Sequence, residues 1–251
     1  MSIAVFSDLH LKRTERERQR HFAELLRKLH REGCQDVWIL GDIFDLMVGS
    51  FGFWRQEFKD VFDAFEDLSK KGARVLWLEG NHDFEIKSLL EPLGIEVFDG
   101  VVVRQLGQLQ VYLAHGDLVN TEDLPYLKWR AATRSQRMKL ALRLTPGWIM
   151  KSTVLPFAEW LSDQSRQRVR DSESQVRSRY RAFAEQKWSE GFQAVFLGHC
   201  HVEDFFQNEA GSFYCNVGGP IGDQVNALRY CLWNPSLERF PKMLISEKMN
   251  S

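Results

Sequence analysis

The stretch Ile3-Ala-Val-Phe6-Ser-Asp8-Leu-His10 runs a short β-rich apolar segment directly into two hard metal-binding donors. Four later stretches repeat the design. They are Val37-Trp-Ile-Leu40-Gly-Asp42-Ile-Phe-Asp45, Val75-Leu-Trp-Leu78-Glu-Gly80-Asn81-His82-Asp83, Leu109-Gln-Val-Tyr-Leu113-Ala-His115-Gly-Asp117 and Ala194-Val-Phe-Leu197-Gly198-His199-Cys-His201. A single D-x-H or H-x-H triplet occurs by chance, and a lone Asn-His-Asp usually marks a turn. Five such blocks in succession, each at a strand-to-loop boundary, point to one site fed by several strand ends.

The intervening sequence supplies the helices such a sheet needs. Phe22, Leu25, Leu26 and Leu29 recur at helical spacing before Gly33, and Phe58, Val61, Phe62, Phe65 and Leu68 repeat the pattern before Lys70-Lys-Gly72. Strands alternating with amphipathic helices predict an α/β sheet with crossover connections. Residues 101–103 and 109–113 read as one hairpin around Gly107, and residues 204–207 and 213–216 as another around Gly211. His21 and His30, on the first helix, read as surface residues.

A chain of 251 residues can bury one large core without disulfides, so a single domain over 1–251 is expected. Cys34, Cys200, Cys215 and Cys231 lack zinc-type spacing and read as free thiols. Period-two alternation turns Cys200 away from its histidine neighbours. The N-terminus shows no signal-peptide pattern, and no stretch approaches the roughly 18 apolar residues of a membrane span; a cytosolic location follows as an expectation.

Charge is unevenly spread. The net charge is −1, yet residues 128–187 hold 14 Lys and Arg against 5 Asp and Glu, leaving 19 against 29 elsewhere. From 121 to about 161 the period-two signal vanishes, and helical stretches are broken at Pro146-Gly147 and Pro156. Leu140, Leu142, Leu144, Trp148, Met150, Leu155, Trp160 and Leu161 are interleaved there with cationic residues. This segment reads either as a small helical subdomain on the core or as a face for an anionic lipid surface.

In an extended strand, residues i and i+2 share a face, so Asp8 with His10, and His199 with His201, could each reach one cation. Gathering these carboxylates and imidazoles without a cation would be unfavourable. The mixed oxygen and nitrogen set suits Mn²⁺, Fe or Zn²⁺ better than an all-oxygen Mg²⁺ cage. It holds more donors than one catalytic ion takes, so two ions sharing a carboxylate are expected, a pair that typically sits about 3.5–4 Å apart and clamps the attacking and leaving oxygens of an in-line displacement.

Over residues 3–219 this motif series resembles the calcineurin-like metallophosphoesterases. That resemblance implies a four-layer α/β/β/α sandwich with a helical lid inserted at 121–170. It implies that Asp8, His10, Asp42 and His201 hold one divalent ion, and Asp42, Asn81, His115 and His199 a second, with Asp42 bridging and Mn²⁺ the leading candidate. His82 becomes the catalytic donor near the phosphate, Asp83 the residue orienting its ring, and Asp45 and Asp117 supporting partners. Within the family, Val5-Phe-Ser-Asp-Leu-His-Leu11, Gly41-Asp-Ile-Phe-Asp45, Asn81-x-Asp-Phe84 and His115-Gly-Asp-x-x-x-Thr-Glu-Asp-x-x-Tyr126 are similar to the branch that hydrolyses UDP-2,3-diacylglucosamine to UMP and the diacylated sugar 1-phosphate in lipid A biosynthesis. That branch implies a lipid-linked UDP-sugar as substrate, a peripheral position on the cytosolic face of the inner membrane, and no nucleic-acid partner. It makes Asn81, His82, Asp123, Tyr126, Ser165, Arg166 and Arg170 candidate substrate contacts. The branch commonly has Arg where this chain has His82, which is the general family pattern. A soluble phosphomonoester or nucleotide phosphodiester stays open as substrate, and a non-enzymatic scaffold would be expected to have lost its ligands. Beyond Pro220 the sequence carries no recognised motif.

Overall fold

The structure is a computed structural model that describes residues 2–156, 172–222, 224 and 226–247. Strand β1 (Ser2–Phe6) pairs in parallel with β2 (Cys34–Ile39), which pairs in parallel with β4 (Arg74–Leu78), and β4 with β6 (Ile95–Phe98). Helices α1 (Arg16–Arg31) and α3 (Lys59–Lys70) make the first two crossovers, the short α2 (Trp54–Glu57) directly preceding α3, and the one-turn α4 (Lys87–Leu90) lies in the third. On the other side of β1 lie β12 (Leu228–Trp233) and β13 (Lys242–Ser246), both antiparallel additions, completing the order β13-β12-β1-β2-β4-β6.

A second sheet runs β10-β11-β9-β8-β7, built from β7 (Val102–Leu106), β8 (Leu109–Leu113), β9 (Ala194–Leu197), β10 (Asp204–Gln207) and β11 (Phe213–Asn216). Both expected hairpins are present, the first with a longer leading strand. A small parallel ribbon pairs β3 (Met47–Val48) with β5 (Asp83–Phe84).

Side-chain alternation along these strands creates the layers. Ile3, Val5, Trp38, Leu40, Leu76 and Leu78 point inward against Val111, Leu113, Phe196, Phe213 and Cys215 of the second sheet. Their neighbours Phe6, Val37, Ile39, Val75 and Trp77 point outward onto Phe22, Leu26 and Leu29 of α1 and Val61, Phe65 and Leu68 of α3. The outer face of the second sheet packs Tyr112, Val195, Leu197 and Tyr214 against Tyr180 and Ala184 of helix α8 (Glu173–Ser189). The result is the four-layer α/β/β/α sandwich. Every fully buried aromatic in these layers removes apolar area from water at about 25 cal/mol per Å².

His21 departs from the sequence reading. It is buried, and its Nε2 lies 2.7 Å from Ser246 Oγ, because β13 folds back across α1. Cys34, Cys200, Cys215 and Cys231 are free, and Cys200 packs toward the α8 layer, where Asn216 Nδ2 donates to its sulfur.

Between β8 and α8 come α5 (Leu124–Thr133), α6 (Gln136–Leu144), α7 (Gly147–Ile149) and a π-helical turn (Met150–Val154). Here the two sequence alternatives divide by residue. Met150 and Leu155 are buried in the α1–α3 core with Leu142 packed beside them, whereas Leu140, Leu144 and Trp148 are exposed. Trp160 and Leu161 lie outside the described residues. Among the described residues, no helix is long and apolar enough to cross a membrane.

Candidate metal centre

The loops after β1, β2, β4, β8 and β9 meet at one edge of the sandwich, where parallel strands deliver their carboxyl ends. The strands stop short of the donors. Phe6 and Leu197 are the last strand residues, and Asp8, His10, Asp42, His199 and His201 all adopt left-handed φ values of 53°, 47°, 56°, 70° and 60°. The extended reading of the D-x-H and H-x-H triplets is therefore corrected: a left-handed residue on each side of Leu9 or Cys200 brings the paired donors to one side. Such a conformation costs a non-glycine residue roughly 1–2 kcal/mol, so the surroundings must impose it. The Asp8 amide donates to the Gly41 carbonyl (3.1 Å), the His10 amide to the Asp42 carbonyl (3.0 Å) and the His199 amide to Asp8 Oδ2 (2.8 Å). Glycine is demanded where these loops touch: a Cβ on Gly80 would stand 2.1 Å from Asp42 Oδ1.

The donors form two adjoining sets. Asp8, His10 and His201 present ligand atoms within 4.8 Å of one another, as do Asp42, His115 and His199. Asp42 Oδ2 lies 3.9 Å from His10 Nε2 and 3.5 Å from His115 Nε2, so one carboxylate oxygen adjoins both sets. Asn81 Oδ1 sits 2.8 Å from His199 Nδ1 and 3.0 Å from His115 Nε2, beside the second set.

These residues fit a pair of divalent cations by their own chemistry. Asp8 Oδ1 is fully buried without a hydrogen-bond partner, and His201 Nε2 stands 3.5 Å from it. His10 Nε2 and His201 Nε2 face each other at 3.0 Å, two ring nitrogens within reach of one shared cation. His115 Nδ1 donates to the Leu40 carbonyl (2.7 Å), which leaves Nε2 as the coordinating nitrogen.

Electrostatics express the same frustration. Burial pushes the Asp8 carboxyl upward against the pull of His201 and His115. Burial also acts upward on Asp42, but His115, His82 and His10 together outweigh it and hold this carboxyl well below the usual range. Burial tends to discharge His115, yet Asp42, Asp8 and Asp117 overcome it and raise the ring to about 10. His199 is driven down to about 3 by burial and by the neighbouring His115.

His82 lies beside the donor sets and lines the cleft, but its ring partner is not the Asp83 that the resemblance implied. His82 closes a third group with His10 and Asp45, its ring edge-on to His10 at 4.8 Å. Its Nδ1 donates to the Asp45 carbonyl at 2.7 Å, so Asp45, not Asp83, orients the ring. Asp83 instead accepts backbone amides: Asp42 and Gly80 on Oδ1 (2.9 Å each) and Ile43 on Oδ2 (2.8 Å). Burial and the charge of Asp42 push its carboxyl up to about 8, against those amides. Its position ties the Gly41-Asp42 loop to the Gly80-Asn81 loop.

Around the donors stands a layer of charged residues that spacing alone did not reveal. Asp117 accepts from Tyr126 Oη (2.9 Å) and from Arg130 Nε, and the Tyr126 ring stands 5.7 Å from that of His199. Arg134 reaches from the α5–α6 junction to the Gly80 carbonyl (2.6 Å) and Glu79 Oε2 (3.2 Å), with its guanidinium over Phe84 at 4.9 Å. Lys139 pairs with Glu85 and Lys151 with Glu57, each at 2.7 Å. Asp123 caps α5 by accepting from the Tyr126 amide. It also lines a cleft of about 540 Å³ that opens from Asp42, Asn81, His82, His199 and His201. Ser165, Arg166 and Arg170 lie outside the described residues.

A two-sheet sandwich that converges hard oxygen and imidazole donors on a shared carboxylate at one strand edge defines a metal-dependent phosphoesterase. The chain belongs to the calcineurin-like phosphoesterase family, whose sequence profile matches residues 1–203. It is similar to the UDP-2,3-diacylglucosamine hydrolase of Stenotrophomonas maltophilia, with 27% identity over 91% of this chain and 94% of that protein. The hydrolase of the same name from Pseudomonas putida is 30% identical over 69% of this chain and 70% of that protein. The Pseudomonas fluorescens hydrolase reaches 33% over 57% of each chain, so that match spans a little over half of the relative. Among solved structures, an archaeal phosphodiesterase shares the fold, with a TM-score of 0.53 and 14% identity across 98% of this chain and 100% of that one.

Proposed function

We propose that this metal-dependent hydrolase cleaves UDP-2,3-diacylglucosamine at the α-phosphate, giving UMP and 2,3-diacylglucosamine 1-phosphate. The observation that carries the reading is the placement of the two donor sets, adjoining at Asp42, next to a helical insertion whose Arg130 and Arg134 reach the donor loops while its Leu144 and Trp148 stay exposed. The similarity to enzymes named for that reaction supports it.

In this scheme Asp8, His10, Asp42 and His201 hold one divalent ion and Asp42, Asn81, His115 and His199 the other, Mn²⁺ first and Fe or Zn²⁺ next. When bound, such a pair supplies Lewis-acid polarisation of the phosphate and activation of the nucleophile. The chain's own groups do the rest. His82, with Nδ1 committed to the Asp45 carbonyl, turns Nε2 toward the cleft and donates to a phosphate oxygen as charge develops. Asp83 keeps Asp42 and Asn81 in register through their loops. Asp123 and Tyr126 meet the substrate from the insertion side. Residues 121–170 act as a lid for the acyl chains, with the exposed Leu144 and Trp148 entering the cytosolic face of the inner membrane.

The second reading is a soluble nucleotide-type phosphodiester, and the histidine at position 82, in place of the branch's usual arginine, favours it. Mn²⁺-dependent release of UMP from UDP-2,3-diacylglucosamine in detergent micelles, beside a soluble phosphodiester, separates the two. Asp42→Ala serves as control: it is expected to abolish turnover and lower bound metal on both sites. Selective UMP release supports the lipid substrate. Cleavage of the soluble ester alone moves the assignment to the second reading.

A further inference from the structure

The cleft above the metal ligands extends past them to α8, where it is lined by Val176, Arg179 and Tyr180. Among the described residues lining it, Arg179 is the single lysine or arginine, set against the acids Asp42, Glu122 and Asp123. Three arginines lie close together on this helix, and the fold uses them differently. Arg177 Nη1 pairs with Asp204 Oδ1 at 2.9 Å, and Arg181 grips both Asp204 oxygens at 2.7 and 2.8 Å. Tyr180, buried between them, donates to the Gly116 carbonyl at 2.9 Å and locks the helix rotation against the loop that carries His115. With that rotation set, residue 179 falls on the flank facing the metal cleft, half-buried.

The cleft is also roomier than one phosphate needs: at about 540 Å³ it falls within the roughly 300–1,000 Å³ of sites that take whole small molecules, and its lining runs from Asp42, Asn81, His199 and His201 to Val176, Arg179 and Tyr180 of α8. We infer that Arg179 is a specificity-determining residue: it binds the second, non-reacting phosphate of a diphosphate-bridged substrate while the first lies on the metal ligands. The inference rests on the nucleotide-diphosphate reading of the site. A guanidinium is suited to this task, since its planar fork matches two phosphate oxygens and it stays charged at every relevant pH. It also accounts for the chemistry at position 82, because a site with an arginine on the opposite wall retains a permanent cation for the diphosphate when position 82 holds a histidine.

The test compares UDP-glucose and the β-methyl ester of UDP, which carry the second phosphate, with the methyl ester of UMP, which differs from the UDP ester by that phosphate alone, as competitive inhibitors of soluble-diester hydrolysis by the full-length Mn²⁺-loaded protein. Their direct binding is measured in parallel by titration calorimetry. Arg179→Ala is expected to weaken UDP-glucose and the UDP ester by about 10- to 100-fold, the range of a charge-assisted hydrogen bond, and to leave the UMP ester within about twofold. Arg179→Lys is expected to recover part of the loss. Equal UDP-glucose affinity in wild type and Arg179→Ala overturns the assignment, and so does an equal loss for the two methyl esters, which would place the residue at the metal-bound phosphate or in the fold. If the wild type releases no UMP from the diacylated lipid while the Arg179 dependence on UDP-glucose persists, the lipid reading fails and this one stands.

Discussion

His115 shows how one side chain records the character of the whole centre. Asp42, Asp8 and Asp117 outweigh burial and raise its ring to about 10, which favours the protonated form at neutral pH, whereas a metal ligand must be neutral. Binding therefore expels that proton, and affinity must rise with pH by about tenfold per unit below the raised value. Mn²⁺ titrations at about pH 6.5 and about pH 8.5 check the sign, and a flat response would mean the ring is already neutral. Asp83 makes a second residue-scale test. Asp83→Asn keeps the volume but sets an NH₂ against the Ile43 amide that now donates to Oδ2. One buried donor left without an acceptor costs about 1–3 kcal/mol, so a lower unfolding midpoint and weaker Mn²⁺ binding are expected together. An unchanged midpoint would remove the buttressing role.

At the level of elements, the insertion is bolted to the loops that carry the donors. Arg130 reaches the loop after β8, Arg134 and Lys139 the loop after β4, and Lys151 the segment before α3. Arg134 matters most, because its side chain and that of Glu79 are both buried and burial already pushes the Glu79 carboxyl upward. Arg134→Met leaves Glu79 without its cation, and breaking a buried pair in this way costs about 3 kcal/mol. The expected result is a drop of that size in chemical denaturation, with Mn²⁺ stoichiometry falling toward one as the Asn81 loop loosens. Full stoichiometry at unchanged stability would show the α5–α6 junction to be independent of the metal loops.

For the molecule as a whole, six of the eleven exposed large apolar side chains among the described residues, Leu124, Trp129, Met138, Leu140, Leu144 and Trp148, belong to the insertion. Leu144 and Trp148 are each 72% exposed in a segment rich in arginine and lysine. Burying one such side chain in a lipid interface contributes about 1.5–3 kcal/mol. Leu144→Ser with Trp148→Ser is therefore expected to weaken cosedimentation with anionic vesicles by at least about 100-fold, with turnover of a soluble diester unaffected. Equal partitioning of both proteins would remove the membrane-facing role of this surface.

The alternation of strands and helices was legible because strands buried on one or both faces write their period into the sequence, and α1 and α3 announced themselves through stripes such as Phe22, Leu25, Leu26 and Leu29, while the sandwich itself came from the family resemblance. The seven metal-donor positions were legible for a related reason: each follows a strand end, and parallel strands deliver their ends to one edge. Strands β12 and β13 were not read, since neither leads into a motif: β12 pairs with β1, more than 200 positions away in the chain, and β13 joins the sheet only through β12. The same applies to His21, whose partner Ser246 arrives with β13, and to Arg134 and Arg179, which look like any surface cation until their helices dock. Local sequence thus marked which residues are candidate metal donors and which faces are apolar. Tertiary structure decided how the donors meet, through left-handed backbone at Asp8, His10, Asp42, His199 and His201, because that conformation is imposed by hydrogen bonds between loops remote in the chain.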